Sequence, residues 1–260
     1  MRVSLIQLDI ALGDPAANMK AVSRHVEQLA ALSEPPDVAV LPELWSTGYD
    51  LEQARALATP QGMREAEFLA GLALKYRMAF AGGSVLSLDG DAVRNQAQVI
   101  NSRGELIASY DKIHLFRPMH EDIWLERGSG CPVFSLCGMR CACVICYDIR
   151  FPELARRIAL AGAEMLFVSA EWPEPRINHW QMILKARAVE NQMHVAACNR
   201  CGTEGPTIFG GRSMIIAADG TVLASAADHE MELSATLDPA QPSFLRNSFP
   251  VMNDRVPDEY

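Results

Sequence analysis

The sequence predicts an α/β fold in which buried strands alternate with amphipathic helices. Short apolar runs that are typical of buried strands are separated by segments whose apolar residues recur at helical spacing. The chain has 260 residues and is 49% hydrophobic, which is enough to bury a sizeable core. It contains no long linker, repeat or low-complexity tract, so we expect residues 1–260 to form a single domain.

The first half of the chain opens with a β-α-β pattern and then becomes richer in strands. The helix at 17–32 carries Met19, Val22, Val26 and Leu29 at helical spacing. Strong turn signals, Asp89-Gly90 and Arg103-Gly104, separate the later strands. The predicted strands are 3–8, 37–41, 79–86, 94–101 and 105–110, and the predicted helices are 17–32 and 63–77.

The second half continues the alternation and ends in a hairpin. The segment SMIIAADGTVLASA is typical of a β-hairpin, with Asp219-Gly220 as its turn. The tail from about residue 239 contains Pro242, Pro250 and Pro257, so we expect it to be irregular. The other predicted strands are 139–145, 164–169, 194–199 and 231–237, and the predicted helices are 151–161 and 176–192.

Charge and cysteine content restrict the possible partners and the compartment. The formal net charge of -9 disfavours nucleic acid or an anionic membrane surface as the main partner. The N-terminal apolar stretch is too short for a membrane span or an export signal. Five of the seven cysteines lie within residues 131–146, a spacing unlike that of a secreted disulfide framework. These features predict a cytoplasmic protein with reduced thiols.

Three chemically distinct side chains follow predicted strands at their carboxyl ends, where active residues of open α/β sheets tend to lie. These residues are Glu43, Lys112 and Cys146. Thiol-based acyl transfer needs a nucleophile, a proton acceptor and a positive charge near the developing oxyanion. We expect Lys112 to lower the pKa of the Cys146 thiol, and the backbone N–H of Tyr147 to be a second oxyanion donor.

Each of these residues also has a purely structural interpretation. A single cysteine at the end of an apolar strand is often a small buried hydrophobe, and Glu43 could be a helix cap or a surface charge. Cys143 and Cys146 form a CxxC pattern, but residues three apart in a strand point to opposite faces, so we expect no metal or redox pair. A histidine-activated thiol is a further alternative, although no histidine spacing singles itself out.

Three blocks around these residues resemble motifs of the nitrilase superfamily of carbon-nitrogen hydrolases. LPELWSTGYD is similar to the glutamate block of that family, YDKIHLF to its lysine block and CYDIRFPE to its cysteine block, in the same order. The resemblance covers nearly the whole chain. It implies a four-layer α-β-β-α sandwich of the nitrilase type, and subunits that pair into a homodimer or a higher homo-oligomer.

The resemblance also implies roles for individual residues. Glu43 corresponds to the general base, Lys112 to the stabiliser of the tetrahedral intermediate, and Cys146 to the residue that becomes a thioester. Glu121 in FRPMHEDIW lies near the usual place of a second, assisting glutamate, and Glu126 is the competing candidate. Side chains cover every step of this chemistry, so we expect no cofactor and no metal.

One segment is similar to the omega-amidase branch, whose members release ammonia from the terminal amide of 2-oxoglutaramate. This segment is SAEWPEPRINHWQMILKARAVENQ followed by AACNRCG. Other carbon-nitrogen hydrolases, acting on an N-carbamoyl compound, an aliphatic amide or a nitrile, remain alternatives. So does a non-catalytic binding or scaffold protein of the same fold.

A small 2-oxo acid amide would be anionic at the end remote from the chemistry, so its pocket should offer cations there. We expect Arg117, Arg176 and His179 to supply them. Tyr49 and Trp172 are candidate pocket walls. Arg150, close to the nucleophile, is instead expected to form a structural pair with Asp148 or Glu153.

Overall fold

Two β-sheets packed face to face form the centre of the computed structural model, which describes residues 1–259. The strands are β1 (Arg2–Gln7), β2 (Val38–Val40), β3 (Thr59–Pro60), β4 (Ala79–Asp89), β5 (Ala92–Ile100), β6 (Leu106–Asp111), β7 (Phe134–Leu136), β8 (Met139–Ile145), β9 (Met165–Ala170), β10 (His194–Asn199), β11 (Cys201–Glu204), β12 (Thr207–Gly210), β13 (Met214–Ile216), β14 (Val222–Ser225) and β15 (Met231–Thr236). The helices are α1 (Pro15–Ala30), α2 (Ala54–Leu57), α3 (Met63–Tyr76), α4 (Glu121–Trp124), α5 (Pro152–Leu160), α6 (Ile177–Asn191) and α7 (Gln241–Ser248).

Each sheet has a parallel centre. In the first sheet the strand order is β15-β1-β2-β4-β5-β6, with β1, β2 and β4 parallel and β3 beside β4. In the second the order is β14-β13-β10-β9-β8-β7, with β8, β9 and β10 parallel. Strands β11 and β12 form a separate hairpin. Parallel strands bring their carboxyl ends to one edge of a sheet, so loops that are distant in sequence meet there.

Helices cover the outer face of each sheet. Apolar residues of α1 and α3, such as Val22 and Leu69, pack on the first sheet. Residues of α5 and α6, such as Ile158 and Leu184, belong to the core of the second sheet. That same core also contains residues of β1, β2 and β4, because the two sheets bury their inner faces against each other. The order of layers is therefore α-β-β-α, which confirms the expected fold class.

Every predicted helix and strand has a counterpart in the structure, but the short elements β3, β7, α2 and α4 were not predicted. The hairpin of β11 and β12 was not predicted, and the prediction of an irregular tail is wrong for Gln241–Ser248. Pro242 lies in the first turn of α7, where a missing N–H removes no helical hydrogen bond. Arg246 then anchors this helix by donating to the carbonyls of Ala163 and Asn191. No helix within residues 1–259 is both long and apolar enough to cross a membrane.

Candidate active site

A bulge in β4 shapes the loop that carries Glu43. The register of β4 against β5 shifts between Ala81 and Ser84, and Gly83 in this bulge has a φ of +67°. A Cβ atom at Gly83 would lie 2.3 Å from the carbonyl oxygen of Pro42, so only glycine allows this close approach. The Ser84 hydroxyl accepts a hydrogen bond from the Leu44 N–H at 3.0 Å. These contacts fix the backbone on both sides of Glu43.

The turn that carries Cys146 is tight and strained. Cys146 follows β8 directly, and its φ of +46° is unusual for a residue with a side chain. Asp148 stabilises the turn, because its Oδ2 accepts the Ile145 N–H at 3.0 Å and the Tyr110 hydroxyl at 2.8 Å. Its Oδ1 accepts both the backbone N–H and the ring Nδ1 of His114, at 3.1 and 2.8 Å. His114 therefore supports the turn through Asp148.

Lys112 lies between two buried carboxylates. Its Nζ is 2.7 Å from Glu43 Oε1 and 2.6 Å from Glu121 Oε1, and all three side chains are fully buried. The Tyr49 hydroxyl lies within hydrogen-bond distance of both Glu43 Oε1 and Glu121 Oε1. Asn95 Nδ2 donates to Glu43 Oε1 at 2.8 Å. The two acids are thus held in fixed positions by several donors.

The thiol of Cys146 completes this group, because it lies close enough to the Glu43 carboxylate for that group to influence its pKa. Burial raises the pKa of Cys146 well above its usual value, and the Glu43 charge adds to this effect, whereas Lys112 opposes it. Lys112 therefore acts on the thiol pKa in the expected direction, but burial and two nearby carboxylates outweigh it, so the net shift is upward. Burial also disfavours the charged form of Lys112, but Glu121 and Glu43 more than compensate and raise its pKa. The resting site contains a neutral thiol beside a carboxylate and an ammonium.

Cys146 forms part of the wall of a narrow cavity. We call this space the nucleophile cavity. Most of its other lining residues are aromatic or cationic. Trp172 and Arg176 line it, and they are joined by a hydrogen bond from the Trp172 indole to the Arg176 carbonyl at 2.8 Å. The lining residues are Phe116, Cys146, Tyr147, Arg150, Glu171, Trp172, Pro173 and Arg176.

Several predicted site residues lie elsewhere. The side chain of Arg117 is 84% exposed and faces Asp122 at 3.7 Å, in a neighbouring surface cavity. His179 is exposed on α6, so neither residue lines the nucleophile cavity. Tyr49 contacts the buried carboxylates rather than the cavity wall. Glu126 lies on the surface, 3.9 Å from Arg94, which leaves Glu121 as the glutamate that reaches the site.

Arg150 was expected to form a structural ion pair, and that expectation is wrong. Its guanidinium stacks over the Trp172 ring at 4.5 Å and lines the nucleophile cavity. Asp148 is instead occupied by Tyr110 and His114, because the turn directs it away from the cavity. In the part of the chain that the structure describes, no carboxylate pairs with Arg150 or with Arg176.

Two residues in contact with the site were missed from the sequence. Asn95 lies inside β5, where its alternation with apolar neighbours does not distinguish it from other buried polar residues. Glu171 follows β9 directly, which is the same signal that identified Glu43, Lys112 and Cys146. Among the described residues, no group of three or more His, Cys, Asp or Glu side chains is arranged to hold a metal ion.

An α-β-β-α sandwich with a cysteine, a glutamate and a lysine converging at strand ends defines a class of thiol-dependent hydrolases. Comparison with known families agrees, since residues 2–245 match the Carbon-nitrogen hydrolase family. The chain belongs to this family.

Individual relatives are similar along nearly their full length. The chain is 40% identical to the 2-oxoglutaramate amidase of Bacillus subtilis over 258 residues, 99% of this chain and 98% of that protein. It is 30% identical to the omega-amidase YafV of Escherichia coli K12 over 256 residues, 98% and 96% of the two chains. Among solved structures, a mutant of the amidase from Nesterenkonia sp. AN1 matches with a TM-score of 0.83 and 27% identity, over 98% and 97% of the two chains. That amidase carries the acetamide moiety of fluoroacetamide covalently bound to its active-site cysteine.

Proposed function

We propose that this protein is an omega-amidase, which hydrolyses the terminal amide of a small 2-oxo acid amide such as 2-oxoglutaramate and releases ammonia. One observation carries the proposal. Cys146 lies near the Glu43 carboxylate and lines a cavity whose other walls include Arg150 and Arg176. Relatives named 2-oxoglutaramate amidase and omega-amidase support the same substrate class.

The first half of the reaction forms a thioester. Glu43 accepts the thiol proton as the sulfur attacks the amide carbon, so the high thiol pKa is overcome only when substrate is present. The ammonium of Lys112 and the backbone N–H of Tyr147 stabilise the oxyanion that forms. Glu43 then returns the proton to the amide nitrogen, the C–N bond breaks and ammonia leaves.

The second half regenerates the enzyme. Glu43 removes a proton from a water molecule, which attacks the thioester carbon and forms a second oxyanion at the same position. The S–C bond breaks, the dicarboxylic product leaves and the sulfur regains its proton. Glu121 and Tyr49 take no proton in this sequence; they hold Lys112 and Glu43 in place through their hydrogen bonds.

Arg150 and Arg176 account for recognition of the anionic end of the substrate. Arg150 stacks on Trp172, and Arg176 lies 5.6 Å from the centre of the Phe116 ring, so aromatic faces hold both guanidiniums without neutralising them. Burial lowers the pKa of Arg150, and the Arg176 charge adds to this effect. A carboxylate between the two guanidiniums would relieve their repulsion and form charge-assisted hydrogen bonds. The 2-oxo acid end of the substrate supplies that group.

Ammonia release from 2-oxoglutaramate and from succinamate tests the proposal. We expect turnover by the purified protein, and an acyl adduct on Cys146 when the enzyme is mixed briefly with substrate and its intact mass is measured. The Cys146→Ala variant should form no adduct, whereas Cys137→Ala, which removes an exposed cysteine, should form it normally. Carbon dioxide release from an N-carbamoyl compound in place of ammonia release from these amides would contradict the omega-amidase assignment. Absence of any adduct would favour a non-catalytic protein.

A homo-oligomer and a cytoplasmic location complete the proposal. Exposed apolar side chains occur on α5, α6 and α7 and directly after α7; they include Met182, Phe244 and Phe249, which are 67 to 68% exposed. Such side chains favour burial against a second copy of the chain. The seven cysteines, all within residues 1–259, are free thiols, which suits a reducing compartment. Sedimentation of the purified protein would test the oligomeric state.

A further inference from the structure

Glu171 is a buried acid in the nucleophile cavity to which the proposed reaction assigns no step. It is 1% exposed and follows β9 at the carboxyl end of the strand. Its Oε2 accepts a hydrogen bond from Arg200 Nη1 at 2.6 Å, while Arg200 also bonds Glu204 at 2.5 Å and the Ile10 carbonyl at 2.8 Å. Its Oε1 is buried and has no hydrogen-bond partner within residues 1–259. A buried acceptor without a donor is costly, so this atom calls for an explanation.

The position of Glu171 links it to the reacting group. Its backbone N–H donates to Glu43 Oε2 at 2.9 Å, so Glu171 is fixed relative to the general base. Glu171 lines the same cavity as Cys146. Because Arg200 occupies Oε2, Oε1 is the acceptor that remains for a molecule bound in this cavity.

We infer that Glu171 Oε1 accepts an N–H of the scissile primary amide and thereby makes the enzyme selective for amides over esters and carboxylates. The inference rests on the proposed function, which it deepens. A primary amide has two N–H donors on the nitrogen that leaves. Binding one of them to Glu171 directs that nitrogen towards Glu43, which must protonate it.

The charge of Glu171 serves the same discrimination. Burial raises the pKa of Glu171 to about 8, against the opposing effect of Arg200, and a donated N–H would favour the ionised form. The carboxylate product has lost its N–H donors and is negatively charged, so the ionised form of Glu171 repels it and promotes its release. An ester has no N–H on its leaving group, so it gains nothing from Glu171.

The test compares succinamate with monomethyl succinate, because both pass through the same thioester on Cys146. Assays at pH 8.5 keep Glu171 largely ionised. In Glu171→Gln, the side-chain oxygen stays opposite the Arg200 donor, so the amide NH₂ group takes the place of Oε1 and opposes the substrate N–H. We expect the ratio of kcat/KM for amide to kcat/KM for ester to fall about 10- to 100-fold, the effect of losing a hydrogen bond to a charged group.

Two further variants make the result decisive. Glu204→Gln perturbs the same arginine without touching the cavity, and its amide-to-ester ratio should equal that of the wild type. Glu171→Asp keeps the charge but withdraws the acceptor, so it should lower the ratio and decides the matter if Glu171→Gln does not fold. Equal losses on both substrates in the Glu171 variants would overturn the inference and leave the proposed function intact. A wild-type enzyme that hydrolyses neither compound would overturn both.

Discussion

Replacing Lys112 by methionine tests whether one buried ammonium neutralises the two carboxylates of the site. Methionine fills much of the same volume but leaves Glu43 and Glu121, both fully buried, without their shared cation. Removing one partner of a buried ion pair costs about 3–5 kcal/mol. A chain of this size loses about 2 °C in Tm per kcal/mol, so we expect Tm to fall by about 6–10 °C. Amide turnover should be abolished as well.

Thermal unfolding followed by circular dichroism at pH 7.5 would measure this cost. Lys185→Met, on the exposed face of α6, is the control and should unfold at nearly the wild-type temperature. Lys112→Met/Glu121→Gln removes one of the two uncompensated charges, so it should recover part of the lost stability without recovering activity. A wild-type Tm for the single variant, or a double variant less stable than the single one, would refute the electrostatic argument.

Three further changes give separable outcomes. Glu43→Gln should lower kcat about 10²- to 10⁴-fold or more, because it removes the general base. The control variant Glu232→Gln should leave kcat unchanged. Near-normal ammonia release by Glu43→Gln would remove Glu43 from the mechanism. Arg150→Gln should raise KM for succinamate about 10-fold but alter KM for uncharged propionamide little; equal changes for the two amides would contradict carboxylate binding. Gly83→Ala should lower the free energy of unfolding by about 1–3 kcal/mol, because φ at this position is +67° and the alanine Cβ would clash with Pro42. An unaltered midpoint of urea unfolding would argue against this strain.

Site residues could be predicted from the sequence where their position depends only on which strand they follow. Glu43, Lys112 and Cys146 each follow a strand, and the close contacts of Lys112 and Cys146 with Glu43 result from strand ends that meet at one edge of the sandwich. Glu171 obeys the same rule and could have been found in this way. Strand periodicity was sufficient because it determines which residues leave the core together.

Side-chain direction within turns was not predictable in the same way. Arg150 lies at the end of a short 3₁₀ turn, and whether it meets Asp148 or Trp172 depends on the positive φ of Cys146 at the start of that turn. The pKa of Cys146 depends on burial and on the distances to Glu43 and Glu121, which a spacing of residues does not contain. Local sequence thus predicted which groups come together, and three-dimensional packing set their charge states and the walls around them.

The charge state of Glu171 makes a last prediction, about stability rather than turnover. Its pKa is about 8 in the folded protein, against an ordinary value of 4.5, so the folded state binds more protons than the unfolded state between these two values. The contribution of Glu171 to stability must then become less favourable as pH rises from 4.5 to 8, by about 1.4 kcal/mol per pH unit.

Glu171→Gln abolishes this titration, and the groups common to both proteins largely cancel in the difference. Urea unfolding should therefore show the stability of the variant relative to the wild type rising by about 4 kcal/mol from pH 5 to pH 8 and levelling off above that range. Parallel curves for the two proteins would mean that Arg200 keeps Glu171 ionised throughout, and the repulsion of product would then operate at every pH at which the enzyme is folded.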